Sequence, residues 1–324
     1  MPNLLVIGGS GFFGKSILDC YRRGLLAPWK IDRIDVVARN ASNLTISNPE
    51  LISETVFLHD LDITNCTRLP TAHYVIHAAA STDINNYLSR PAKEKKNIQL
   101  GTSHFCQLAS QFFIDSKILY VSSGAVYGQQ PENKSHIAED DDFQIIGTLD
   151  KGKQDYAAAK RDGESYIREL GDKGLRVAIA RCFAFVGPYL PRDQHFAIGN
   201  FIEDGLRSRA ITVKAQNPVY RSYLFADDLV LWLMIILEQS SAQCPVVNVG
   251  SEEAILMGDL AEMVAQFFGV QADIPQLTGM SVNRYVPSID KALELGCPKP
   301  LKLSDALVAT IKAINSYNHL DGYP

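Results

Sequence analysis

Leu4-Leu5-Val6-Ile7-Gly8-Gly9-Ser10-Gly11-Phe12-Phe13-Gly14 joins a short apolar run to closely spaced glycines, and then to a segment in which Phe13, Ile17 and Tyr21 recur every four residues. An apolar run of this length reads as a buried strand, and the four-residue recurrence as one face of a helix. Between them, Gly8 or Gly9 lets the chain turn sharply, Gly11 lets backbone approach a pyrophosphate, and Gly14 lets the helix pack closely on the sheet. Both Gly9-x-Gly11-x-x-Gly14 and Gly8-x-x-Gly11-x-x-Gly14 fit that spacing. Phe12 and Phe13 open the helix, whose N-terminus would face the phosphates. The competing reading is an ordinary strand-to-helix turn, and the strand before and helix after the glycines weigh against it.

A chain of 324 residues with 46% hydrophobic content can bury a large core, as one large domain or two intimately joined ones. A net charge of -5, with acidic and basic residues interspersed, gives no basic stripe for nucleic acid and no polybasic patch for a membrane. The six cysteines (Cys20, Cys66, Cys106, Cys182, Cys244 and Cys297) form no Cys-x-x-Cys pair and no metal-type cluster. No metal is expected, and reduced thiols in a cytoplasm are the natural reading. Strand-forming residues from Asn3 onward leave no room for a signal peptide, and no apolar run approaches the ~20 residues of a membrane span.

Apolar strand-like runs at 4–7, 34–37, 55–58, 74–78, 117–121 and 175–180 alternate with helical segments near 13–25, 92–114 and 155–170. Such alternation implies an α/β fold, a doubly wound parallel sheet covered by helices. Residues 1–182 are therefore expected to form a Rossmann-type dinucleotide-binding domain. Beyond 183 the rhythm loosens into helices near 196–208, 227–239, 257–268 and 304–316, with short strands at 211–214 and 246–249. Residues 183–324 read as a smaller α+β substrate lobe over the carboxyl ends of the strands, the strand near 246–249 returning to the first domain. The polar stretch Gln129 to Asp155 reads as a long surface loop, its Asp140-Asp141-Asp142 triplet simply solvated.

Tyr156-Ala-Ala-Ala-Lys160 places a phenol and an ammonium at i and i+4, on one face of a helix. A free tyrosine titrates near ~10, and an adjacent Lys⁺ favours the phenolate and brings it toward working range as a general acid and base. Alone, this spacing more often means a surface pair; the glycine turn reverses that. Ile118-Leu119-Tyr120-Val121-Ser122-Ser123-Gly124-Ala125-Val126-Tyr127-Gly128 is a strand ending in small hydroxyl residues at the expected crevice. A hydroxyl there can hold a substrate oxygen while Tyr156 exchanges its proton. The bland alternative for Ser122 and Ser123 is turn chemistry.

With these residues in view, the chain resembles the extended short-chain dehydrogenase/reductases, in the NAD-dependent epimerase/dehydratase family that modifies nucleotide sugars, over nearly its whole length. Asp60-Leu61 resembles the family's adenine-contacting pair, and His77-Ala78-Ala79-Ala80 its strand-four signature beside the cofactor, followed by Ser81 on the substrate side. Asn97-Ile98-Gln99-Leu100-Gly101-Thr102 is similar to a family helix motif whose asparagine supports the active site. Arg181-Cys182-Phe183-Ala184-Phe185-Val186-Gly187-Pro188, the segment Arg221 to Asp228, and Asn248-Val249-Gly250-Ser251 match further family segments. The resemblance implies Ser123 as substrate-oxygen partner, Tyr156 as general acid/base, and Lys160 as ribose ligand and pKa depressor, with hydride passing at the nicotinamide. It also implies substrate contacts from Gly124, Ala125, Phe183 and Asn200, with Phe201 beside it; Arg221 and Arg284 each suit a diphosphate because the guanidinium fork matches phosphate oxygens, the alternative for either being a surface carboxylate.

Where the family's sugar dehydratases carry Asp-Glu after the catalytic hydroxyl, this chain has Gly124 and Ala125, which disfavours a 4,6-dehydratase. Ala184 also replaces a substrate-touching asparagine. At the end of the second strand Ala38 fills the place of the acid that binds the ribose 2′-hydroxyl in NAD-binding versions, and Arg39 follows, a pattern suited to the 2′-phosphate of NADP. Asp35 is read as capping or facing solvent. The bland alternative for Arg39 is a surface arginine; NADP is expected, with NAD the alternative, and NADP favours a one-way reductase. The first expectation is thus NADPH-dependent reduction of a 4-keto nucleotide sugar in deoxysugar biosynthesis. The alternatives are a nucleotide-sugar 4-epimerase with retained NAD, and a catalytically idle NAD(P)-binding regulatory protein, against which intact Ser123, Tyr156 and Lys160 speak. By the resemblance, a homodimer pairs through the helix before residue 114 and the one carrying Tyr156.

Overall fold

The computed structural model describes residues 2–80, 89–147, 149, 151–192, 194, 196–279 and 281–320, with side chains to residue 316. The early apolar runs become β1 (Asn3–Ile7), β2 (Arg33–Ala38), β3 (Val56–Asp60), β4 (Tyr74–His77), β5 (Lys117–Ser123) and β6 (Arg176–Cys182). Val219–Arg221 is β7, and β8 (Val246–Val249) pairs with β6 to complete a seven-stranded sheet in the order β8-β6-β5-β4-β1-β2-β3. Every pairing in it is parallel.

Successive side chains of a strand face opposite sides of a sheet. Leu4, Val6, Ile34, Val36, Leu119, Val121, Ala178 and Ala180 accordingly fall into one core, and Leu5, Ile7, Val37, Ile118, Tyr120, Val177 and Ile179 into the other. Burial on both faces is why these strands read as unbroken apolar runs. Of the helices α1 (Phe12–Arg22), α2 (Pro91–Phe112), α3 (Lys151–Asp172), α4 (Ala197–Leu206) and α5 (Ala226–Glu238), the first and last cover one face and α2 and α3 the other. The fold is the doubly wound α/β architecture read from the sequence. Between β4 and β2 the strand order diverges around β1, which opens the crevice where such sheets bind ligands.

Beyond β6, short strands and the helices α4, α5, α6 (Met257–Phe268) and α7 (Leu303–Leu320) follow. Here β7 lies between antiparallel β9 (Ile255–Leu256) and parallel β10 (Asn283–Tyr285). Phe201, Ile202, Leu260, Val264 and Ile311 join the same core as Ile17 and Leu18 of α1, so apolar packing is continuous from the sheet to the elements after β6. Among the described residues no helix is long and apolar enough to cross a membrane.

Three local expectations change. Asp35 neither caps nor faces solvent: β2 continues through Ala38, and Asp35 is fully buried against Arg33 at 2.6 Å and His59 at 2.8 Å. The acidic triplet is not merely solvated, because Asp141 accepts from Ala138 N at 2.9 Å and pairs with Lys134. The helix carrying Tyr156 starts at Lys151, four residues before the expected 155, so the preceding loop is shorter than read.

Candidate active site

The glycines after β1 divide the work of the turn. Gly8 has a φ of +86°, which L side chains rarely adopt, and a Cβ on it would lie 2.7 Å from the backbone of Ala79 beyond β4. A Cβ on Gly14 would lie 2.1 Å from Gly9 O, so only glycine brings α1 this close to the turn. Gly11 differs: a Cβ there meets only Gly8 O, at 3.5 Å. No side chain caps α1, and its first turn holds no acidic residue. Free amides beside an open glycine fit a pyrophosphate, so the residues present suit the dinucleotide that the motif implies. Phe12 is buried against Phe185, with ring centroids 6.0 Å apart, and Phe13 packs edge-on to both.

At the next strand end, Arg39 is exposed, and no hydrogen bond or ion pair engages its guanidinium among the described residues. Asp60, at the end of β3, accepts from Ser42 N at 2.9 Å and from Ser42 Oγ at 2.6 Å, which holds its carboxyl below the usual range. Leu61 N donates to Ala38 O at 3.0 Å and Ala78 N to Ile7 O at 2.8 Å, so both ties serve the crevice edge itself. Ala79 N donates to His77 Nδ1 at 3.3 Å; His77 is buried, and desolvation drives its pKa down to about 3. Asn97 on α2 donates to Glu94 at 3.3 Å. Ser81 lies outside the described residues.

Ser123, Tyr156 and Lys160 meet at the carboxyl end of β5. The Ser123 hydroxyl stands near enough to the Tyr156 phenol to favour its charged form; burial nevertheless pushes that phenol up to about 12. Lys160 lies one turn further along the same helix. Its Nζ donates to Val121 O at 2.7 Å, lies 4.9 Å from the Tyr120 ring and 5.9 Å from the Tyr156 ring, and burial depresses its pKa to about 8. Burial is thus what sets the direction of the Tyr156 shift, and the Lys160 ammonium is anchored on a strand carbonyl. The turn reading of Ser123 holds as well, since its Oγ accepts from Ala125 N at 3.2 Å. Ser122 points elsewhere, donating to Glu164 at 2.6 Å.

That Glu164, one helical turn beyond Lys160, went unread in the sequence. It forms a two-pronged buried ion pair with Arg181, at 3.0 and 2.8 Å, and Arg181 also donates to the Tyr127 hydroxyl at 2.9 Å. Tyr127 in turn donates to Asn248 of β8 at 2.8 Å. The pair fixes the rotation of α3 against β5 and β6, and with it the direction of Tyr156 and Lys160.

The chain beyond β6 contributes Phe183, Arg221 and a residue the sequence did not single out, Tyr285. Its ring lies 4.6 Å from that of Phe183, and its hydroxyl is 3.5 Å from Ser123 Oγ. Arg221 pairs with Tyr285 across β7 and β10, so both face the cluster; burial lowers the Arg221 pKa, and its guanidinium donates to Tyr220 O at 2.7 Å and Asn283 Oδ1 at 2.9 Å. Arg284 pairs with Tyr220 on the opposite face of that sheet, 4.4 Å from its ring. The two arginines are thus not brought together. Asn200 on α4 is tied to Gln194 at 2.7 and 3.2 Å. Beside Ser123, Gly124 and Ala125 leave no carboxylate on that turn.

Residues 4–250 match the model of the NAD dependent epimerase/dehydratase family. The chain is similar to UDP-glucuronic acid decarboxylase 6 of Arabidopsis thaliana, 26% identical over 313 residues that span 94% of this chain and 86% of that protein. It is also similar to a putative UDP-glucose 4-epimerase of Methanocaldococcus jannaschii, 22% identical over 319 residues spanning 97% and 99%. Among solved structures, a UDP-glucose 4-epimerase of Thermotoga maritima with UDP-glucose shares the fold at a TM-score of 0.81 and 20% identity, over 98% of this chain and 99% of that one.

Proposed function

The chain belongs to the NAD dependent epimerase/dehydratase family, and on that premise we propose that it is an NADPH-dependent oxidoreductase that reduces a 4-keto nucleotide sugar. The observation that carries this reading is the meeting of Ser123, Tyr156 and Lys160 beside a turn, Gly124-Ala125, that offers no carboxylate. Such a group moves a proton at a sugar oxygen but lacks an acid and base for eliminating water. Arg39, exposed after Ala38 and without a side-chain partner among the described residues, supports NADP over NAD.

The dinucleotide would be held by the amides and open face of Gly11, by Arg39 and by Lys160, and when bound it supplies a hydride to the keto carbon. Ser123 holds the keto oxygen, and Tyr156, kept protonated by burial, gives that oxygen its proton. The product is a secondary alcohol, and Tyr156 regains its proton from solvent. Arg221, facing the same cluster, suits the substrate's diphosphate. A homodimer paired through α2 and α3 and a cytoplasmic location go with this reading.

The test is the nucleotide that co-purifies, followed by turnover with a panel of a 4-keto sugar nucleotide with NADPH, UDP-glucose, and UDP-glucuronic acid. Preferential binding of NADPH with reduction of the keto sugar supports the proposal. Tightly held NAD with interconversion of UDP-glucose would select the epimerase, the second reading, for which the same three groups serve in both directions. Tyr156→Phe should lower turnover about a thousandfold or more while leaving NADPH binding within about twofold; unchanged turnover would remove Tyr156 from the mechanism.

A further inference from the structure

Among the described residues Ser123 Oγ has three polar neighbours: Ala125 N at 3.2 Å, the Tyr285 hydroxyl at 3.5 Å, and the Tyr156 hydroxyl. A serine hydroxyl owns one proton and two lone pairs. An amide can only donate, so Ala125 N–H occupies one lone pair. What Tyr285 does with its proton then decides where the serine proton goes.

We propose that Tyr285 is a positioning residue of the acid–base centre, donating its hydroxyl to Ser123 Oγ and so aiming the Ser123 proton at Tyr156 and at the substrate oxygen between them. The inference rests on reading Ser123 and Tyr156 as groups of the reaction. With both lone pairs filled, Ser123 is a donor only, which is what a tyrosine needs after giving up its proton, because a phenolate can only accept.

The surroundings hold Tyr285 to this task. Its ring is tilted 36° against Phe183 at 4.6 Å, and its strand register places Arg221 on the same side, 6.0 Å from the ring. A Cβ on Gly124 would lie 2.7 Å from both Phe183 Cζ and the Tyr285 hydroxyl. The small residue that removes a carboxylate from this turn is also the opening through which Tyr285 reaches Ser123. Burial raises the Tyr285 phenol above its ordinary value, so it keeps the proton it donates.

Tyr285→Phe removes the hydroxyl and leaves the ring on Phe183. Crystal structures of the protein and of this variant should show the hydroxyl within hydrogen-bond reach of Ser123 in the first, and Ser123 Oγ turned from Tyr156 or split between rotamers in the second. An unchanged single Ser123 rotamer, still bonded to Tyr156, overturns the proposal whether or not a substrate is known. With a substrate that is turned over, kcat should fall about tenfold with KM within about twofold, and the loss should vanish in a Ser123→Ala background. A full loss persisting there would mean that Tyr285 touches substrate directly, which also overturns it. Retained turnover in Tyr156→Phe would instead remove the underlying reading, and the crystallographic comparison stands apart from that result.

Discussion

The glycine turn and the hydroxyl cluster sit at the same edge of the sheet and are built in opposite ways. The turn takes seven consecutive residues, Gly8 to Gly14, and gives separate residues separate duties: Gly14 serves packing, and Gly11 leaves room. The cluster takes Ser123 from β5, Tyr156 and Lys160 from α3, and Tyr285 from β10, and there one residue serves conflicting ends. Lys160 is wanted as a cation, yet it is 2% exposed. Structure and chemistry are separable in the first region and opposed in the second, and substitutions can test that contrast.

The largest effect belongs to the turn. A Cβ at position 14 would stand 2.1 Å from Gly9 O and 2.2 Å from Gly9 Cα, and because these are backbone atoms, neither can swing aside. Gly14→Ala should therefore lower unfolding free energy by at least about 3 kcal/mol, read by chemical denaturation. A variant as stable as the parent would show that α1 can slide away from the turn, and the division of duties would fail.

In the cluster the sign reverses. The pKa of Lys160 is depressed from 10.5 to about 8, chiefly by desolvation. Below about pH 8 the lysine is charged in both folded and unfolded chains, and the cost of burying it is fully present. Between about 8 and 10.5 the folded chain releases its proton first, and the cost fades. Lys160→Met should thus stabilise the protein by about 2 kcal/mol at neutral pH, less than the shift alone implies because the bond to Val121 O is lost. The gain should shrink as pH rises toward 10.5 while turnover stays abolished. A destabilised variant at pH 7 would show that the Lys160 charge is not a burden on the fold.

The same contrast sets what could be read from sequence. β1 to β6, the glycine turn and the Tyr156–Lys160 pair are local patterns, written in apolar runs and in the i, i+4 spacing. Ser123 and Tyr285 are 162 residues apart, and what joins them is the register of β7 against β10, strands of three residues each, too short to show a period. Missing those strands also left Arg221 and Arg284 as equal candidates for a diphosphate, though the alternation of a strand assigns them to opposite faces. Glu164 was legible in principle, four residues after Lys160 on the same helical face. A lone glutamate has no signal until Arg181 is found opposite it, and that needs the pairing of β5 with β6. Asp35 looked like a surface acid because its partners, Arg33 and His59, come from its own strand and the next.

The smallest effect on the fold, and the sharpest on the contrast, is expected at Gly11. Its φ of -86° is open to any L residue, and a Cβ there would meet only Gly8 O at 3.5 Å, an ordinary contact. The alanine also narrows the unfolded chain's freedom by a few tenths of a kcal/mol, which offsets its poorer fit at a helix start. Gly11→Ala should therefore change unfolding free energy by no more than about 0.5 kcal/mol. The methyl group would stand where the turn leaves room for a pyrophosphate, so fluorescence titration with NADPH and NADH should show both weakened about tenfold, roughly 1.4 kcal/mol. Equal weakening is the informative part, because the pyrophosphate is common to both, whereas Arg39→Ala should weaken NADPH alone. Full affinity for both nucleotides in Gly11→Ala would mean that the open face of this glycine is not where phosphate lies.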